Sequence, residues 1–363
     1  MRCNWGDLIT LEYGKPVSDK DSINGPVPVF GTNGQIGTSN LKPLCLIPSV
    51  IIGRKGAYRG VCYSPVPFSV IDTAFYVKPR VEDIDLKWVY YKFKTYDINR
   101  MDSGSAIPST DRYEIYSIPV DFPPLPEQKA IAAVLSALDD KIELNNRINQ
   151  RLGEMAQSIF RSWFESEADK DGVLGDIAIL STKSISPFKM ESVTIEHYSI
   201  PAYDDNGYPT YDAPETIKSN KYIVTTKCIL VSKLNPTTKR VWRPCCETSN
   251  AVCSTEFMVY IPKDIAYRDF LFCILNSKAF SDFLCSNVTG TTGSRQRVIP
   301  KATLDYPIYL PDEKQVLSFC NIVSPMFEQI CLNKKENIRL RKLRDTLLPK
   351  LMSGELRVPC DTK

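Results

Sequence analysis

The 363 residues are 43% hydrophobic and 24% charged, with a formal net charge of +3. That is the composition of a globular chain long enough for more than one buried core, and a charge so small does not by itself announce nucleic-acid binding. No apolar run approaches the roughly 18 to 20 residues of a membrane span; the longest, CLIPSVIIG from Cys45, is strand-sized. MRCNWGDLIT lacks a basic segment followed by an apolar stretch, so a cytoplasmic chain is expected. The twelve cysteines are expected to be reduced thiols. A structural metal is not expected either: the tightest group, Cys245, Cys246 and Cys253, has no C-x-x-C pair, and the only histidine is His197.

In chain order, WGDLITLEYGK from Trp5 opens a region of short strands punctuated by turn formers: GPVPVFGTNGQIGT, LIPSVIIGRKGAYRGVCYSP and FSVIDTAFYVKP. WVYYKFKTYDINRMDS then has helical spacing and aromatic weight, read as packed helix rather than as a base-stacking platform. SGSAIPSTDR from Ser103 leads into the proline-bearing strand YSIPVDF. Next comes a long amphipathic helix from Leu125, with apolar residues at Ile131, Val134, Leu135, Leu138, Ile142, Ile148, Leu152, Met155 and Ile159.

After the polar ESEADKDG the chain repeats itself. LGDIAILSTKS from Leu174 echoes the opening, YRDFLFCILNSKAFSDFLCSN echoes the aromatic helix, and TGTTGSRQR from Thr289 leads into LDYPIYL. A second long helix follows, and LNNRINQRL from Leu144 matches LNKKENIRL from Leu332. The fold class expected is α+β, with two β-rich domains and two long helices in an internal repeat. A helix of about 36 residues is roughly 54 Å long and needs a partner of like length to cover its stripe. An antiparallel pairing of the two helices is expected, with the polar interruptions Asn145 and Asn333 near its centre and near each other.

No constellation for catalysis emerges. One histidine leaves Ser-His or Cys-His chemistry to His197 alone, read as an ordinary hydrogen-bonded residue. GTNGQIG is not a dinucleotide loop, and no P-loop exists. Asn235-Pro236-Thr237-Thr238 lacks the second proline and the aromatic of an adenine methyltransferase motif. Asp312 and Glu313 of PDEK read as acids at a helix N-terminus. Binding is better supported. GRKG, Gly53 to Gly56, offers backbone amides and two cations to a phosphate, and TGTTGSRQR offers arginines and a glutamine able to hold phosphates or read base edges. From Lys227 to Lys301 there are eleven Lys and Arg against five Asp and Glu, whereas residues 1 to 122 hold fourteen against thirteen.

LPEQKAIAAVLSALDDKIELNNRINQRLGEMAQSIFRSWF and ENIRLRKLRDTLLPKLMSGEL resemble the two spacer helices of specificity subunits of type I restriction-modification systems. IIGRKGAYRGVCYSPVPFSVIDTAFYV resembles a recurrent part of that family's target-recognition domains, and the similarity runs from Trp5 to Leu356. LPDEKQV, at the second spacer, departs from LPEQKAI at the first. The resemblance implies recognition domains at 1–123 and 167–309, with spacer helices at 124–166 and 310–363. It implies a prokaryotic, non-catalytic reader of a split duplex-DNA site that assembles with methylation subunits, two by expectation, and with restriction subunits. S-adenosylmethionine is then expected on the methylation partner and no cofactor on this chain. Candidate DNA-binding residues are Arg54, Lys55, Arg295, Gln296 and Arg297, with Asn33, Lys183 and Arg240 as further candidates. A helical protein scaffold without DNA reading, a self-contained methyltransferase and a specificity protein of another restriction type are the competing readings.

Overall fold

The computed structural model describes residues 2–101, 108–165, 170–190, 194–289 and 296–359. Two units are distinguished, Met1–Glu143 with Asn337–Lys363, and Leu144–Glu336. The two long helices, Leu125–Phe160 and Glu313–Ser353, therefore each contribute one part to each unit.

In the first unit a four-stranded antiparallel sheet runs in the order Ile9–Tyr13, Ala74–Pro79, Ser49–Gly53, Val61–Ser64. A three-stranded sheet joins Gly34–Ser39 to Val27–Gly31 and then, in parallel, to Ser69–Val70. Ser49–Gly53 is buried at all five positions because it is covered on both faces: Val50 and Ile52 enter one core, and Ile51 enters a second with Phe30, Phe68 and Tyr76. A strand covered twice reads as a continuous apolar run instead of an alternation. Helix Leu86–Phe93 buries Trp88, Val89, Tyr91 and Phe93 in the first core, so its aromatic residues pack inside.

The second unit repeats this order with different residues. Its four-stranded sheet runs Ala178–Ser181, Phe257–Pro262, Ile229–Ser232, Val241–Trp242. Its five-stranded sheet again contains one parallel pair, Ile195–Tyr198 beside Ala251–Cys253. Helices Arg268–Leu275 and Lys278–Ser286 bury Phe270, Leu271, Phe280 and Leu284.

The repeated Gly-Asp motif has a local cause in each unit. Asp7 accepts a hydrogen bond from the backbone N–H of Asn4 at 2.9 Å, and Asp176 accepts one from Val173 at 2.8 Å, each closing the short helix that turns the chain into its first sheet strand. A carboxylate at a helix N-terminus is worth roughly 0.3 to 1 kcal/mol. The glycine before it admits a neighbour: a Cβ on Gly6 would lie 3.0 Å from Tyr116 Cβ, and one on Gly175 3.3 Å from the Leu304 carbonyl oxygen.

Within each unit the helix segments run antiparallel. In the first, Ile131, Ala132 and Leu135 share a core with Leu351 and Met352, while Arg344 ion-pairs with Asp139 at 2.6 Å. Gln128, wholly buried, ties the helix start to the sheet domain through the carbonyls of Asp83 and Pro123 and the N–H of Asp85. In the second, Phe160 lies 6.0 Å from Phe319, Asn149 accepts from Asn333 Nδ2 at 2.8 Å, and Asn145 Nδ2 donates to Glu336 at 2.7 Å. Asn145 is 1% exposed and Asn333 6%. This register sets Asn145 opposite Glu336, so the two asparagines stand about one helical turn apart along the pair and each finds a different partner. At the start of Glu313–Ser353, Asp312 accepts from Gln315 N at 2.8 Å, the capping role of an acid there.

The expectation of thiols throughout is corrected at one place: Cys245 and Cys331 are joined as a disulfide, with Cα atoms 5.9 Å apart. Sequence spacing carried no sign of it because the partners lie 86 residues apart. Among the described residues no helix is long and apolar enough to cross a membrane.

Candidate nucleic-acid interface

In the first unit the buried strand Ser49–Gly53 ends where the chain must pass close to two neighbours. A Cβ on Gly53 would sit 2.2 Å from the Thr32 carbonyl oxygen and 2.9 Å from Arg59 Cα, so only glycine fits. The loop beyond it is fixed through its backbone. Arg54 and Lys55 donate their N–H groups to Thr73 O at 2.9 and 3.1 Å, Thr110 N donates to Arg54 O at 2.8 Å, and Gly56 N donates to Pro108 O at 3.0 Å. Gly56, at φ +117°, takes a conformation that side chains disfavour. GRKG and the end of SGSAIPSTDR are therefore one structure; residues 102–107 lie outside the described residues.

The side chains on this loop differ in how far they are committed. Arg54 donates to the Asp72 carbonyl at 3.0 Å and lies 4.7 Å over the Tyr13 ring, a cation–π contact shared with Arg112 at 5.1 Å. Lys55 Nζ stands 3.8 Å from Asp72 with both partners solvent-exposed, a pair worth about 0 to 1 kcal/mol and readily exchanged for a phosphate. Asn33, in the turn between Val27–Gly31 and Gly34–Ser39, is exposed and reaches the same loop, since a Cβ on Gly60 would meet its Oδ1 at 2.8 Å. Asn33, Arg54 and Lys55 are thus brought together.

Two residues of this loop were not anticipated. Tyr58 is 79% exposed, an aromatic held out from a glycine-bounded loop. Arg59, 4% exposed, holds the loop's far end to Asn99, donating Nη2 to its carbonyl at 2.8 Å and its backbone N–H to the side-chain oxygen at 2.7 Å. Its Nε and Nη1 find no acceptor among the described residues. The signal for both lay in GAYRG, where an aromatic and a cation sit between glycines.

The second unit builds the same backbone frame after Ile229–Ser232. Lys233 N donates to Glu256 O at 3.0 Å, Val298 N to Lys233 O at 2.9 Å, and Asn235 N to Gln296 O at 2.9 Å. Asn235 replaces glycine at the bend with φ +48°, a conformation asparagine tolerates better than most residues. Lys233 stands where Arg54 stands in the first unit and was missed, because SKLN gives no glycine signal.

Here the arginines are matched with acids. Arg297 holds Glu256 in a two-pronged bond at 2.9 and 3.1 Å, and this hydrogen bonding keeps the Glu256 carboxyl below its ordinary pKa. Arg240, whose carbonyl accepts from Ser232 N beside the loop, grips Asp204 through both oxygens at 2.6 and 2.8 Å and lowers that carboxyl likewise. Gln296 anchors the loop by its backbone, while Arg295 lies outside the described residues. Lys183 is exposed and sits apart from this frame, its carbonyl accepting from Ile223 N at 2.9 Å in the other sheet. His197 Nδ1 lies 2.8 Å from Asp212 Oδ2. Among the described residues no group of His, Cys, Asp and Glu could hold a metal ion.

Residues 4–154 match a family model described as the type I restriction modification DNA specificity domain. The type I restriction enzyme MjaIX specificity subunit of Methanocaldococcus jannaschii is 25% identical over 316 residues, 75% of this chain and 69% of that one. The HindI specificity subunit of Haemophilus influenzae is 24% identical over 322 residues, 67% of this chain and 70% of that one. Among solved structures, the S subunit of a type I restriction-modification system from M. genitalium matches with a TM-score of 0.62 at 18% identity, covering 97% of this chain and 96% of that one.

Proposed function

We propose that the chain is a specificity subunit of a type I restriction-modification system, the DNA-recognition subunit of such an enzyme, as its similarity to that family supports, and that its two units read the two halves of one split DNA site. The recognition domains are 1–123 and 167–309, and the spacer segments at 124–166 and 310–363, which carry the long helices Leu125–Phe160 and Glu313–Ser353, set the gap between half-sites. One observation carries this reading: the same backbone frame occurs in each unit, Arg54–Gly56 held to Pro108–Thr110 and Lys233–Asn235 held to Gln296–Val298, with cations on both. Arg54, Lys55, Arg295, Gln296 and Arg297 contact DNA, with Asn33, Lys183 and Arg240 at the margin. Phosphate contacts supply salt-dependent affinity, and the few side chains that reach base edges discriminate at about 1 to 3 kcal/mol for each good two-pronged bond.

The chain performs no reaction itself. It presents DNA to methylation subunits, which carry S-adenosylmethionine, and restriction subunits join that complex. The missing Pro-Pro-aromatic motif at Asn235 supports this division of labour. The test is to exchange residues 1–123 for the corresponding domain of another family member and map adenine methylation across a genome in the presence of the methylation subunit. One half-site should change and the other stay. A change in both halves, or methylation by this chain alone, overturns the reading.

A further inference from the structure

We propose that Cys245 and Cys331 are a redox-active pair, exchanging with a low-molecular-weight thiol or disulfide from a cavity that the two residues line. Their Cα atoms are 5.9 Å apart, within the span a disulfide bridges without moving the backbone. Cys245 follows the strand Val241–Trp242, and Cys331 lies on the helix Glu313–Ser353, so the bond clasps a sheet edge to a helix inside the second unit. Both residues are half-buried, and the cavity in whose wall they stand has a volume of about 310 Å³. Tyr203, Trp242, Arg243 and Lys334 share that wall, which gives a small reactant an entry that sealed thiols lack.

The charge around the pair suits the exchange. Arg243 stands two residues before Cys245, although it is also bonded to Asp269 at 2.7 Å, and Lys334 is one helical turn from Cys331, with burial and the nearby Arg243 lowering its pKa and so weakening its hold on the proton. Cations beside a thiol favour the thiolate, which is the attacking form. Neighbouring thiols are placed differently. Burial and the nearby Glu196 push the adjacent Cys246 up to about 12, and Cys228, Cys253 and Cys273 are buried.

Starting from the reduced chain, one protein thiolate attacks the S–S bond of a small disulfide, forms a mixed disulfide and expels one small thiolate. The second cysteine gives up its proton, attacks the protein sulfur of the mixed disulfide and expels the other. Two protein thiols are oxidised by two electrons, and one small disulfide is reduced to two thiols; excess small thiol reverses both steps.

The pair uses this chain's own sulfurs and stands independently of the DNA reading. The full chain is equilibrated with oxidised or with reduced glutathione, its remaining thiols are alkylated, and its peptides are mapped by mass spectrometry. The oxidised sample should yield a Cys245–Cys331 linked peptide that vanishes in the reduced one. Its thermal midpoint should rise by roughly 5 to 15 °C, a gain absent in Cys245→Ala and in Cys331→Ala. Should those variants fail to fold, the peptide map of the unaltered chain decides alone. Recovery of both residues alkylated after oxidation, or linkage of either to another cysteine, overturns the proposal.

Discussion

The loops after Ser49–Gly53 and after Ile229–Ser232 share one set of backbone hydrogen bonds and almost no side chains. The first turns on Gly53 and Gly56 and lays Arg54 on Tyr13, while the second turns on Asn235 and ties its arginines to Glu256 and Asp204. Backbone geometry is what the duplication kept, because it depends on carbonyls, which every residue owns, and on N–H groups, which every residue but proline owns. Side-chain chemistry was released to diverge, as the proposed reading of two different half-sites requires.

The largest expected effect tests the frame at matched positions. Gly53→Ala places a methyl group 2.2 Å from the Thr32 carbonyl oxygen and must push the loop aside, costing about 1 to 3 kcal/mol of stability and the selectivity of the first half-site. Ser232→Ala, at the matching place, removes only the hydroxyl bonds to Leu234, a loss of about 0.5 to 1.5 kcal/mol. Urea denaturation with methylation mapping separates the two; equal outcomes would mean that the close approach of Gly53 to Thr32 does not hold the first loop in place. Next come the cations. Arg54→Ala should relax the first half-site only and Arg297→Ala the second only, each by about 1 to 3 kcal/mol if it reads a base. Lys55→Ala should leave sequence preference intact and lower the slope of log affinity against log salt by about 0.9, as loss of one phosphate contact does.

Architecture was legible in the sequence wherever periodicity or repetition expressed it. The two long helices, the Gly-Asp echo and the aromatic helix after each sheet all follow from patterns that survive side-chain drift. The reason for the echo was not legible, since WGDL and LGDI do not reveal that the aspartate turns back on the backbone. The loop that carries the candidate interface was legible where glycine marks it, as at Gly53 to Gly56, and hidden where asparagine does the same work, as at Asn235. Arg59 was hidden for another reason: an arginine between turn formers reads as exposed, and its burial depends on Asn99, forty residues away. The register of the helix pair and the Cys245–Cys331 bond are long-range facts, set by packing that no local pattern encodes.

The smallest effect separates the units by acid. The chain's one histidine, His197, belongs to the second unit, where it faces Asp212 and lies near Lys221. Its buried Nε2 has no hydrogen-bond partner among the described residues. Burial lowers its pKa, outweighing the Asp212 bond that raises it, and Lys221 lowers it further. The unfolded chain takes up this proton near pH 6.5 and the folded chain only at lower pH. Its contribution to stability is therefore full above about pH 6.5 and is lost as pH falls through the folded value. The first unit has no histidine to respond. Between pH 7 and pH 5.5, hydrogen exchange corrected for intrinsic rates should quicken in the strand Ile195–Tyr198 and hold steady in Ser49–Gly53, and His197→Gln should remove the difference. An equal response in both strands would take the acid sensitivity away from His197 and assign it to carboxylates common to the two units.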